Sequence, residues 1–136
     1  MEEKFNESTP QRTQGHLLDA PLVTINIPAF IEQLKQEKAW KESDRNTITV
    51  FKTNGMRIVL IALHKGAEMA THTANGIISV QVLEGQIKFT TGAQTEELNK
   101  GQMLTLHENI PHSVLAMEET VFLLTLSTKL EPLFRT

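Results

Sequence analysis

Two stretches decide how this chain folds: HTANGIISVQVLEG at residues 72–85 and GQMLTLHENIPHSV at residues 101–114. In the first, Ile78, Val80 and Val82 share one side of an extended chain, while Ile77, Ser79, Gln81 and Leu83 share the other. In the second, Leu104 and Leu106 oppose Met103, Thr105 and His107. This is the two-residue period of a strand with one face against a core. The Ile78, Val80, Val82 and Leu104 side is read as the inner wall of a mostly apolar pocket.

The same pattern extends in both directions. Short strands are expected at 47–53, 56–64, 77–83, 86–91, 94–98, 103–107, 112–117 and 120–127. Turn signals separate them at Asn54-Gly55, Asn75-Gly76, Glu84-Gly85, Thr91-Gly92 and Lys100-Gly101. Closely spaced short strands of this kind form a sandwich or a barrel, an all-β class. Ahead of them the period changes. Phe30, Ile31 and Leu34 fall on one helical face, Pro28 suits a first turn, and Asn26 is placed to cap it, which predicts one helix over about 28–39. A short extended piece is expected at Leu22 to Ile27, free to pair at an open sheet edge. Residues 1–15 are polar apart from Phe5 and the starting Met1, and read as a flexible arm. The expected organisation is therefore an arm (1–15), an extension carrying the helix (16–46) and a barrel (47–136).

Composition narrows the functional classes. With 136 residues the chain has the size of one domain. Thirteen basic and 16 acidic residues are scattered without a basic stripe, so a nucleic-acid partner is not expected. No cysteine is present, which removes disulfides and thiolate metal sites and fits a reducing compartment. The acidic start MEEKFNESTP lacks the apolar core of a secretory signal, and the longest apolar run, Ile58 to Leu63, is far too short to span a bilayer. A cytoplasmic protein with no membrane partner is the expectation.

The glycines and histidines add a family resemblance. Gly66, His72 and Gly85 match the first signature motif of the cupins, and Gly101 and His112 match the second. The chain resembles a small stand-alone, RmlC-like cupin over about residues 47–127, which implies a jelly-roll β-barrel with the one helix before it. The resemblance also implies that the two motifs lie on facing strands, so that His72 and His112 meet in the barrel mouth. Small barrels of this family commonly pair, which implies a homodimer. The departures fall on metal ligands. Ala74 stands where the family has its second histidine, and Ile78 where it has its glutamate. His107 replaces a proline, Ala116 an asparagine, and Asn109 a glycine whose positive φ asparagine can adopt.

Catalytic metals usually have three protein ligands and an open position. His72 and His112 therefore need a third donor, for which His64, His107 and Glu68 are nearest in sequence. With one, the site could hold a divalent transition metal, Zn, Ni, Fe or Cu. Against this, His64 reads first as an exposed residue leading into the Lys65-Gly66 turn, and His107 as a structural residue ahead of the Asn109 turn. Met69, Met103 and Met117 read first as core filling and second as the lining of a pliable pocket. Trp40 reads as packing on the barrel exterior sooner than as a cover for its mouth. The leading expectation is a small-molecule-binding barrel with a pocket formed by His72, Ile78, Val80, Val82, Leu104 and His112. The alternatives are a metal-dependent dioxygenase or isomerase with a reduced ligand set, and a structural or interaction protein with a filled barrel.

Overall fold

The computed structural model describes residues 4–5, 16–130 and 132. Two antiparallel sheets face each other. Numbered along the chain, the strands are β1 (Lys4–Phe5), β2 (Leu17–Asp19), β3 (Arg45–Thr53), β4 (Met56–Leu63), β5 (Glu68–His72), β6 (Ile77–Glu84), β7 (Gln86–Thr91), β8 (Thr95–Asn99), β9 (Met103–Leu106), β10 (His112–Ala116) and β11 (Thr120–Ser127). One sheet runs β3-β4-β11-β6-β9 and the other β5-β10-β7-β8, while β1 and β2 form a separate ribbon. The fold is all-β in its body, a jelly roll with helices on one face.

The inner faces carry the alternation expected from the sequence. Ile78, Val80 and Val82 of β6 are buried with Ile61, Phe122, Ile87, Phe89 and Val114, and Leu104 and Leu106 pack against them. The outer face of the five-stranded sheet is also covered. Helix α1 (Ile27–Gln36) lays Leu34, with no exposed surface, onto Ile48, Leu60, Ala62 and Val121, and Phe30 and Ile31 flank it. Asn26 caps α1, its Oδ1 accepting from the Ala29 backbone N–H at 3.1 Å.

The helix differs from the expected single span. It stops at Gln36, Glu37 is extended, and a second helix α2 (Lys38–Glu42) follows. The cause lies in β3: the buried Asn46 donates from Nδ2 to the Leu34 carbonyl at 3.0 Å and to Glu37 Oε1 at 2.9 Å. One orphan carbonyl of the α1 terminus is thereby satisfied from outside the helix. Other expectations also shift. Leu22 to Ile27 forms no strand up to the start of α1; the extended piece is β2, five residues earlier. A strand at Glu68–His72 was not foreseen. Of the arm expected over 1–15, only Lys4–Phe5 is described, paired with β2, and the rest lies outside the described residues.

The crossing between the sheets rests on Gly85. β6 ends at Glu84 in one sheet and β7 begins at Gln86 in the other, so a single residue with φ +85° turns the corner. The turn into β11 presses on it. A Cβ at Gly85 would lie 2.3 Å from the Glu119 carbonyl oxygen and 2.5 Å from Thr120 Oγ1. Gly66 has φ +87° but open space around it, so only its backbone angle asks for glycine. Gly85→Ala is expected to destabilise the fold by at least about 2 kcal/mol in urea unfolding, from the left-handed angle and the clash together.

Helix α1 is also tied to this corner. Lys35 Nζ lies 2.7 Å from Glu84 Oε1 and 3.3 Å from Glu119 Oε2. Burial alone lowers the Lys35 pKa, but hydrogen bonds and charge from Glu84 and Glu119 outweigh it and hold the pKa above the ordinary 10.5. A raised folded-state pKa stabilises fully below the unfolded value and is lost as pH rises through the folded one. Lys35→Met should therefore lower stability by about 1 kcal/mol or less below pH 10.5, since the three groups are partly solvated. In urea unfolding the difference should fade as pH climbs beyond that value.

Candidate functional site

The site is built where β5 and β10 pair. His72 and His112 are direct cross-strand partners, with ring centroids 4.4 Å apart and planes tilted by 56°. The two motifs meet as expected, but on neighbouring strands of one sheet and not across the barrel. A backbone bond from the Asn109 N–H to the Ala74 carbonyl at 2.8 Å joins their loops, and Asn109 has the positive φ (62°) anticipated for it.

Backbone contacts fix the tautomer of both imidazoles. His72 Nδ1 lies 2.8 Å from the Ala70 carbonyl and His112 Nδ1 lies 2.9 Å from the Ile110 carbonyl. A carbonyl oxygen only accepts, so each Nδ1 carries a proton, and in the neutral form of either ring the lone pair is on Nε2. His112 is 4% exposed and stacks on Phe89 at 5.3 Å with 12° between planes, while His72 opens to solvent.

The strand pairing contains an irregularity that decides what stands beside these rings. Between His112 and Val114, two residues apart, the partner strand advances three, from His72 to Met69. Residues three apart on a regular strand point to opposite faces. The bulge in β5 instead places Met69 and His72 on the same inner face. Both line one small cavity with His112, Ile78, Val80 and Phe89.

The other expected donors lie elsewhere. His64 donates from Nε2 to the Trp40 carbonyl at 2.8 Å and stacks on the Trp40 indole with centroids 3.5 Å apart. Trp40 is itself buried in the cluster under the helices, on the barrel exterior as expected. Glu68 is exposed opposite Leu115, and His107 is exposed just beyond β9. Among the described residues no group of three or more His, Asp or Glu side chains is placed to hold a metal ion. The four-ligand site implied by the motif resemblance does not fit these residues. Ile78, 3% exposed, lines the cavity as hydrocarbon, and Ala74 packs against the core.

Cavity size limits what the barrel can hold. The space beside the histidines is about 20 Å³. A water needs about 10–15 Å³, whereas small-molecule pockets run to roughly 300–1,000 Å³. That space therefore has room for about one water. Val82, expected in the pocket wall, is fully buried in the core instead. Leu104 lines a different space, a cleft of about 330 Å³ along the seam between the edge strands β8 and β9. Phe89 borders both spaces and separates them.

Comparison with known proteins agrees with this architecture. No protein-family model matches the sequence, and no curated protein matches it. Solved structures do. An RmlC-like cupin from Desulfovibrio desulfuricans is 26% identical, with TM-score 0.57 over 61% of this chain and 81% of that one. A cupin-2 domain protein from Shewanella frigidimarina is 17% identical, with TM-score 0.61 over 76% and 93%. A salicylate 1,2-dioxygenase mutant from Pseudoaminobacter salicylatoxidans is 18% identical, with TM-score 0.68 over 76% of this chain and 34% of that one. The chain is a small jelly-roll barrel. Its fold is that of the cupin superfamily.

The tautomer assignment is directly measurable. Long-range ¹⁵N–¹H correlation spectra of the neutral protein should show Nδ1–H rings for both His72 and His112. An Nε2–H ring at either position would contradict the hydrogen bonds to Ala70 and Ile110.

Proposed function

We propose that this cupin-fold chain is a cytoplasmic binding protein for a small, largely apolar molecule, held in the cleft between β8 and β9. The observation that carries the reading is size joined to an apolar wall: the cleft reaches about 330 Å³, within the range of small-molecule sites, whereas the space beside the histidines does not and the wider hollow of about 710 Å³ beside Asn75, Glu108 and Lys129 is mostly polar. Its wall is apolar, with Phe89, Leu104, Leu106 and Ile110, and its polar groups are Thr91, Thr105, Gln94 and Glu96. Gln94 Nε2 donates to Glu96 Oε1 at 2.8 Å, which steadies the carboxylate at the rim. Among the described residues no lysine or arginine lines the cleft, so a neutral or amine-bearing molecule suits it better than an acid. The absence of cysteine supports a reducing compartment. Among the described residues no helix is long and apolar enough to cross a membrane.

A metal-dependent enzyme reading has less support, because the expected third donors His64, His107 and Glu68 do not gather with the histidine pair into a three-residue site. The test is a fragment screen by methyl NMR, comparing aromatic amines with aromatic carboxylates of the same size. Amines should perturb the Leu104 and Leu106 methyls in wild type, and Leu104→Trp, which fills the cleft, should abolish the response. Binding that survives Leu104→Trp, or no perturbation by any fragment, would refute the assignment.

A further inference from the structure

The cleft between β8 and β9 is bordered by two unpaired strand edges. The strands follow one another in the chain, and the turn between them is closed by the Gln102 N–H on the Asn99 carbonyl at 2.9 Å and the Asn99 N–H on Gln102 Oε1 at 2.8 Å. Beyond that turn β8 joins the four-stranded sheet and β9 the five-stranded one, so they do not pair with each other. The cleft is therefore a wedge, shut at the turn and open toward Gln94 and Ile110.

The ladder registers show which backbone groups face it. Hydrogen-bonded residues alternate along an antiparallel strand. The Val82 N–H bonds the Gln102 carbonyl at 3.0 Å, so Leu104 and Leu106 bond back to β6, and Met103 and Thr105 turn their N–H and C=O groups to the seam. The Thr91 N–H bonds the Gln94 carbonyl at 2.8 Å, so Thr95 and Glu97 turn theirs to it from the other side. Among the described residues none of these four has a backbone partner across the wedge.

Open edges are commonly blunted by cover, bulges or charge. Of the four edges of the two large sheets, β3 has its Thr49 carbonyl taken by the His16 ring at 2.7 Å, β5 carries the bulge and Glu68, and β8 carries Glu96 and Glu97. By contrast β9, MLTL, is regular and uncharged. We infer that an extended peptide segment adds to β9 as an antiparallel strand, with a basic residue and, two positions later, an apolar one turned into the cleft. It is the ligand class of the cleft proposed above, and it rests on that cleft being the binding site.

Main-chain bonds give such an added strand its affinity and alternate side chains its specificity. The peptide residues opposite Thr105 and Met103 exchange backbone bonds with them. Those opposite Leu104 and Leu106 share the inward face of these leucines. The side chain opposite Leu104 meets hydrocarbon from Phe89 and Leu104. The one opposite Leu106 lies nearer the open end, where Glu96, on the second residue of β8, is the one charged group among the described residues lining the cleft. That carboxylate selects a lysine or arginine there.

An NMR titration of the whole chain with the blocked peptide acetyl-Thr-Lys-Thr-Phe-Thr-amide tests this. The Met103 and Thr105 amides should shift and their protons exchange more slowly. Methylating the nitrogen of the middle threonine removes its N–H toward Thr105 and should weaken binding roughly three- to tenfold. Replacing the lysine by glutamate should weaken it several-fold. Met103→Pro is placed at the first residue of an edge strand, where proline is tolerated; it removes one donor and should weaken the peptide roughly three- to tenfold while aromatic amines still bind. Met103→Ala keeps that N–H and should bind the peptide as wild type does. Circular dichroism checks folding, and if Met103→Pro unfolds, the methylated peptide decides on the unaltered protein. Peptide binding indifferent to methylation, or amines that bind where the peptide does not, would overturn the strand addition and leave the cleft reading standing. Silence of both ligands would overturn the two together. A dimer of the free chain in light scattering, dissolved by Met103→Pro, would place a second copy on β9 and overturn the peptide assignment.

Discussion

Strand β11 is the member on which the rest of the molecule hangs. It pairs with β4 from Thr120 to Ser127 and with β6 from Val121 to Ser127, so both of its edges are closed. Its faces are closed too. Phe122, Leu124 and Leu126 point into the barrel, while Val121 and Leu123 point under α1. A strand buried on both sides must be apolar throughout, and VFLLTL is so but for Thr125. Its entry is held by Thr120, fully buried, whose single Oγ1 proton is shared between the carbonyl oxygens of Glu118 at 2.9 Å and Gln86 at 3.1 Å and whose Oγ1 accepts from the Gln86 N–H. That turn leaves no room at Gly85 for a side chain. The sheet crossing and the central strand therefore constrain each other.

The price of a well-filled barrel is the loss of a large interior site. Phe89 and Phe122 come from opposite sheets and both border the histidine cavity, and Met69 and Leu124 take further space there. Close packing of this kind contributes stability through burial and dispersion. It also leaves two separate spaces. One is a nearly filled, nitrogen- and sulfur-lined recess at His72 and His112, and the other is a larger apolar cleft at the seam where the sheets do not pair. Phe89 stacks on His112 on one side and forms the wall of the cleft on the other. The ring is the partition between them.

How legible these features were in the sequence depended on whether their cause was local. The Asn54-Gly55 hairpin, the Asn26 cap and the inward set Ile78, Val80 and Val82 follow from period and turn chemistry, and all are present. Strand β5 was illegible because EMATH has little alternation, and its bulge breaks what there is. The end of α1 was misread because nothing in its own residues stops it; Asn46, ten residues beyond Gln36, does. The sequence reads His64 as an exposed residue at the Lys65-Gly66 turn, but it is half-buried, since a stack on Trp40, 24 residues away, has no signature in spacing.

The family resemblance implied the meeting of His72 with His112 and the absence of the usual ligands at positions 74 and 78, while the sequence alone determined the all-β class and the inner and outer faces of most strands. These follow from periodicity, from glycines at turns and from residue identity, which act over a few neighbours. Only the tertiary structure decided how much space remained between the sheets, which side chains faced it and where the wider cleft lies. Those depend on volumes packed from both sheets and on a one-residue bulge that reverses which side chains face inward. Met69 thus became a partner of the histidines through strand pairing with β10.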